Sequence, residues 1–157
     1  MEGDSPGPSR ERQAKFAVLL YTADDVKARM RRIYHEVLER SAQIQEGNFS
    51  VIGTDDLERL FSLYDREFFR GSLAEMLMED RAHPMAFRLS RRLTRAAGQT
   101  MRLVRRVPGR GRKIEQVEYE ISVSTTLLYS TFQNVEREVI VGGLVCRDRL
   151  EALQRIF

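Results

Sequence analysis

Apolar and polar positions change their rhythm along this chain, and the change separates a helical half from a strand-rich half. Val26, Met30, Ile33, Val37 and Ile44 recur at helical spacing, with Tyr34 and Leu38 widening the stripe. Thr22, followed by Asp24 and Asp25, predicts the start of this helix, and Gly47-Asn48 predicts its end. A second helix is predicted from an N-cap at Thr54, with Asp55 and Asp56 in the first turn and Leu57, Leu60, Phe61, Tyr64 and Phe68 on one face. Gly71 stands where a left-handed C-terminal residue is expected, and a short helical turn from Leu73 to Met78 follows it.

Period-two signals then take over. Met85, Phe87 and Leu89 share a face of one strand, and Gly98 marks a turn. Thr100 to Val107 reads as a second strand with Met101 and Leu103 inward, and Pro108-Gly109-Arg110-Gly111 reads as a loop tip. Val117, Tyr119, Ile121 and Val123 alternate with Glu118, Glu120, Ser122 and Ser124, the clearest strand in the chain. A short turn is predicted from Thr125 or Thr126 to Tyr129. Val139 to Cys146, with Gly142-Gly143 at its centre, reads as a tight hairpin with a type I′ turn. A last amphipathic helix carries Leu150, Leu153, Ile156 and Phe157. No Gly, Asn or Pro follows its final apolar residue, so it is expected to be the unfinished beginning of a longer helix. The predicted fold class is α+β: two long helices, a small, mostly antiparallel sheet of three to five strands, and a C-terminal helix.

Composition narrows the picture. The 157 residues are 42% apolar and 31% charged, a globular balance, apart from a Pro-, Gly- and Ser-rich start (1–15) expected to be a disordered tail. No apolar run is long enough to cross a bilayer, which argues against a membrane protein. The single cysteine, Cys146, excludes an internal disulfide and suggests a reducing, cytoplasmic setting.

The net charge of +3 hides a strong asymmetry. Between Ala82 and Ile114 there is no acidic residue, and ten Arg and Lys residues fall in that stretch, so the rest of the chain carries −7. Arg105, Arg106, Arg110, Arg112 and Lys113 would surround the hairpin tip and are the candidate nucleic-acid contacts. The alternative is a solvated face on which Arg102 and Arg106 pair across strands with Glu118 and Glu120. The tip lacks interleaved aromatics, so base stacking is not expected.

Catalytic signals are missing from the residues. His35, His83 and Cys146 are the nitrogen and sulfur donors available to a metal, and none stands at i, i+4 spacing with another. Glu136 and Glu151 have no metal-ligand neighbours, and no nucleophile elbow or phosphate loop occurs. No catalytic, metal or cofactor-binding residue is therefore assigned.

Three stretches carry a family resemblance: Leu60 to Leu73 (LFSLYDREFFRGSL), Phe87 to Gly98 (FRLSRRLTRAAG) and Tyr119 to Leu128 (YEISVSTTLL). Together they resemble the SprT-like zinc metallopeptidases over 54–157. The first is similar to that family's opening helix, the second to its basic strand-and-turn segment, and the third to the strand before the catalytic helix. Ala96 stands where the family often has cysteine. The resemblance implies a partial zincin-like domain at 54–157, preceded by a helical segment at 16–53. In it, Arg147 to Phe157 would be the first turns of the helix that carries H-E-x-x-H. That motif is absent from this sequence, so zinc is expected only if the domain continues past Phe157, and enzymatic activity is left open. The resemblance further implies Tyr119 to Ser124 as an edge for a substrate strand, and DNA or nucleic-acid-bound protein as partner. A small α+β nucleic-acid-binding module using 102–113 is the alternative.

Overall fold

The first helix starts where the sequence predicts. In the computed structural model, which describes residues 19–79, 85–111, 113–131 and 138–157, the Thr22 hydroxyl accepts from the Asp25 N–H (3.1 Å). The Asp25 carboxylate accepts in return from the Thr22 N–H (3.1 Å), completing a capping box. The predicted tail, His83, Arg112 and Glu136 lie outside the described residues. This helix, α1 (Ala23–Arg40), buries Ile33 and Val37.

It ends at Ser41, well before Gly47. The Ser41 hydroxyl accepts from the N–H groups of Gln43 (3.1 Å) and Ile44 (2.8 Å) and donates to Asp56 Oδ1 (2.5 Å). These local bonds replace helical ones and turn the chain. Ile44 is buried from beyond the helix rather than from its stripe. Asp56 uses its other oxygen to accept from the Gly53 N–H (2.8 Å), so Gly53 caps α2 (Thr54–Tyr64) and Thr54 is its first residue.

The chain then widens into a π-helical turn (Asp65–Phe69) and leaves it through Arg70 (φ 57°) and Gly71 (φ 81°). The left-handed stop predicted at Gly71 thus takes two residues. Buried Asp65 accepts from the N–H groups of Leu73 (2.9 Å) and Ala74 (3.0 Å), which starts α3 (Ser72–Glu79).

Three strands form a mixed sheet in the order β1-β3-β2: β1 (Ala86–Ser90), β2 (Gly98–Pro108) and β3 (Lys113–Ser124). β2 and β3 are antiparallel over their whole length, and β1 joins β3 in parallel from Ala86↔Glu120 to Ser90↔Ser124. α4 (Thr125–Thr131) follows, then the hairpin β4 (Val139–Val141) and β5 (Leu144–Cys146), then α5 (Arg149–Ile156). Gly142 (φ 58°) and Gly143 (φ 79°) supply the positive φ angles of the predicted turn. The fold is α+β.

Leu103 stands opposite Glu118 and Met101 opposite Glu120, on the face away from Val117 and Val123, and both are half-buried between exposed neighbours, as predicted. One sequence reading of the sheet needs correction. Glu120, Ser122 and Ser124 are buried rather than outward in solvent. Segment 91–97 returns over that end of the sheet: the Ser124 N–H donates to Ala97 O (2.8 Å), the Ser124 hydroxyl to Leu93 O (2.5 Å) and the Thr126 hydroxyl to Arg91 O (2.9 Å). Arg88 pairs with Glu120 (3.1 Å), and Ser122 donates to the same carboxylate (2.9 Å).

The core lies between α1, α2, the apolar sheet face and α5, and its fully buried side chains include Ile33, Phe49, Leu57, Leu60, Val123, Leu150 and Leu153. α5 is fastened to both long helices. Tyr34 of α1 donates to Asp148, its N-cap residue (2.6 Å); Gln154 donates to Met30 O (3.0 Å); Tyr64 of α2 donates to Gln154 O (2.7 Å). Phe157 stacks on Tyr64 (5.8 Å between centroids) and on Phe87 (6.4 Å).

Removing Asp56 would leave the Ser41 hydroxyl and the Gly53 N–H without their acceptor. Asp56→Ala is expected to lower stability by about 1–3 kcal/mol, read from the urea midpoint, because buried donors left unpaired carry their desolvation penalty.

Candidate nucleic-acid interface

β1 covers only the last residues of β3, from Glu120 to Ser124. Beyond that point β2 and β3 run on alone, from Arg102↔Tyr119 out to Pro108↔Lys113, as a two-stranded ribbon. The predicted substrate edge is therefore misplaced: from Glu120 to Ser124, β3 is the central strand and is paired on both sides. Side chains on the ribbon have little to pack against, and Val104 and Ile114 are about half exposed. The major groove of B-DNA is wide enough to admit a ribbon of this kind.

The register decides which of its cations are free. Arg105 lies opposite Gln116 and reaches diagonally to Glu118 (3.4 Å); Arg106 lies opposite Glu115 and pairs with it (3.4 Å). The pairing of Arg102 and Arg106 with Glu118 and Glu120 anticipated from sequence does not form, since Arg102 faces Tyr119 and Glu120 is held by Arg88. Both observed pairs are open to water, with the arginine side chains 64% and 71% exposed. Such pairs are worth only about 0–1 kcal/mol, so a phosphate can take over either arginine. Arg110 is exposed in the tip and Lys113 opens β3; neither has an ion-pair partner among the described residues. The structure thus brings Arg105, Arg106, Arg110 and Lys113 to the outer half of one ribbon. Glu115 is the site residue that sequence reasoning missed. Pairing Pro108 with Lys113 across a four-residue tip and counting back would have placed it opposite Arg106.

The donors considered for a metal do not converge. His35 is exposed on α1, with its ring edge-on to Tyr34 (5.7 Å), and Cys146 is fully buried on β5. Burial pushes the Cys146 thiol up, away from the thiolate that a metal needs. Glu151 holds Arg147 (3.5 Å) at the start of α5. Among the described residues no group of three or more His, Cys, Asp or Glu could hold a metal ion. No helix among them is long and apolar enough to cross a membrane.

No family model, no curated protein and no solved structure matches this chain.

The tyrosines that fasten α5 give a pH signature. Burial first, then the bond to Asp148, raises the Tyr34 phenol above its usual range, and burial raises Tyr64 in the same direction. A folded pKa above the unfolded one gives stability that is complete below about pH 10 and declines as pH rises further. Tyr34→Phe is expected to flatten part of that alkaline decline, measured as urea midpoints between about pH 8 and about pH 11.

Proposed function

We propose that this chain forms an SprT-like zinc-metallopeptidase-type domain, non-catalytic in the residues present, that works on or near nucleic-acid-bound proteins in a cytoplasmic setting. One observation carries the reading. The three stretches that resemble the family are far apart in sequence, yet they supply one core. Leu60 and Leu63 come from the first, Phe87 and Leu89 from the second, and Val123 and Leu128 from the third. Phe61 of the first meets Phe87 of the second (5.8 Å), and Gly98, which closes the second, lies against Ile156 of α5. The described residues bring no metal-ligand group together, so no catalytic step is assigned to them.

Metal analysis tests this. The 157 residues alone are expected to bind no zinc, and any longer chain that carries H-E-x-x-H past Phe157 about one per chain. Tight zinc binding by the 157 residues, or such a longer chain without zinc, would contradict the proposal.

The protruding ribbon favours a second reading, a nucleic-acid-binding module acting through Arg105, Arg106, Arg110, Arg112 and Lys113. The segment from Arg105 to Glu118 holds these five cations against Glu115 and Glu118. With no aromatic between them, they would grip phosphates and not bases, so binding should tolerate any sequence. Arg110→Ala with Lys113→Ala is expected to make the slope of log K against log salt shallower by about 2 on duplex DNA. Both side chains lie at an exposed tip, so folding stability should stay within about 0.5 kcal/mol. An unchanged slope would remove the ribbon from the interface.

A further inference from the structure

A second feature stands on other elements and does not depend on either reading above. α1 and α5 leave an open groove of about 640 Å³ between them, floored by Met30 and walled on one side by Val145 of β5. Lys27, Arg31 and His35 follow one another at four-residue intervals along α1 and line it as a single stripe. Glu151 and Arg155 of α5 line it from the other side, with Arg147 just ahead of the helix.

Four Lys and Arg side chains thus face two carboxylates, and both carboxylates are engaged. Asp148 accepts from the Glu151 N–H (2.8 Å) and the Tyr34 hydroxyl (2.6 Å). Glu151 accepts from the Arg147 backbone N–H (2.8 Å) and pairs with its guanidinium (3.5 Å). The remaining cations have little to hold. Lys27 reaches Asp24 only at 4.0 Å, and that carboxylate is 97% exposed. Arg31 and Arg155 have no ion-pair partner among the described residues. The groove therefore carries uncompensated positive charge along both walls.

Apolar surface adjoins it. Val145 is 52% exposed, and its cross-strand neighbour Ile140 is 70% exposed, so the rim beside the cations is a pair of uncovered aliphatic side chains. A small ligand would be poorly enclosed in so open a cleft. A phosphate backbone would meet the cations but leave the aliphatic rim in water. An acidic peptide with an apolar anchor satisfies both, carboxylates on the two cationic walls and aliphatic side chains on Val145 and Ile140. We propose that the α1–α5 groove is a docking site for an acidic segment of a partner protein that carries leucine-like residues beside its glutamates or aspartates.

The test is fluorescence anisotropy with the full chain and a labelled short peptide in which glutamates flank a pair of leucines. Binding at or below about 100 μM is expected. Lys27→Ala, Arg31→Ala and Arg155→Ala combined should weaken it at least about tenfold, and Val145→Ser should weaken it severalfold. Arg110→Ala with Lys113→Ala should leave it unchanged, which separates this groove from the ribbon. Circular dichroism checks that the variants, all at exposed positions, remain folded. Four results would each overturn the proposal: no binding, equal binding of the glutamine-for-glutamate peptide, full affinity in the triple variant, or displacement of the peptide from the Arg110→Ala/Lys113→Ala protein by duplex DNA.

Discussion

Burial of α5 is the constraint on which the rest of this structure depends. Leu150 and Leu153 are fully buried, and one polar residue of the same helix, Gln154, is hydrogen-bonded through its side chain to α1 and through its carbonyl to α2. A buried amide left unpaired would be costly, so these bonds fix one arrangement of the two long helices. Asp148 and Asn48 act at the other end: Asp148 takes the Tyr34 hydroxyl, and Asn48 takes the Arg149 N–H (3.1 Å). Helices that are apart in sequence are thus held by buried and half-buried polar groups that pair with one another.

The sheet divides into two regimes. Where β1, β2 and β3 run together, one face rests on the helices; on the other, segment 91–97 is bonded to Ser124, Arg88 and Ser122 hold Glu120, and all three polar positions of β3 are buried. Beyond Glu120 the third strand stops, and the remaining pair keeps its backbone bonds but little burial. Two-stranded ribbons have marginal stability by themselves, so this one persists because its base is clamped in the core. The charge follows the same division: the paired Arg88 is at the base, and Arg110 and Lys113 are at the far end.

The sequence made the element types legible wherever local chemistry decided them. The Thr22 capping box, the left-handed exit at Gly71 and the paired glycines at 142 and 143 each answer to their own neighbours. It misled where a distant residue intervened. α1 ends at Ser41 because Asp56 of another helix completes the turn there, which no periodicity contains. The polar positions of β3 read as solvent-facing because alternation cannot report a returning loop. For the candidate site, the cluster of cations was legible from charge alone, but its internal pairing was not. A strand that carries apolar residues on both faces, as β2 does at Met101, Leu103 and Val104, does not declare which side faces in.

The close approach at Gly98 has a mechanical consequence. A methyl group there would come within 2.8 Å of Ile156 Cγ2, so β2 begins in direct contact with the end of α5. From that fulcrum the strand runs without interruption to Pro108. The exposed tip and the seam between sheet and terminal helix are thus the two ends of one unbroken strand.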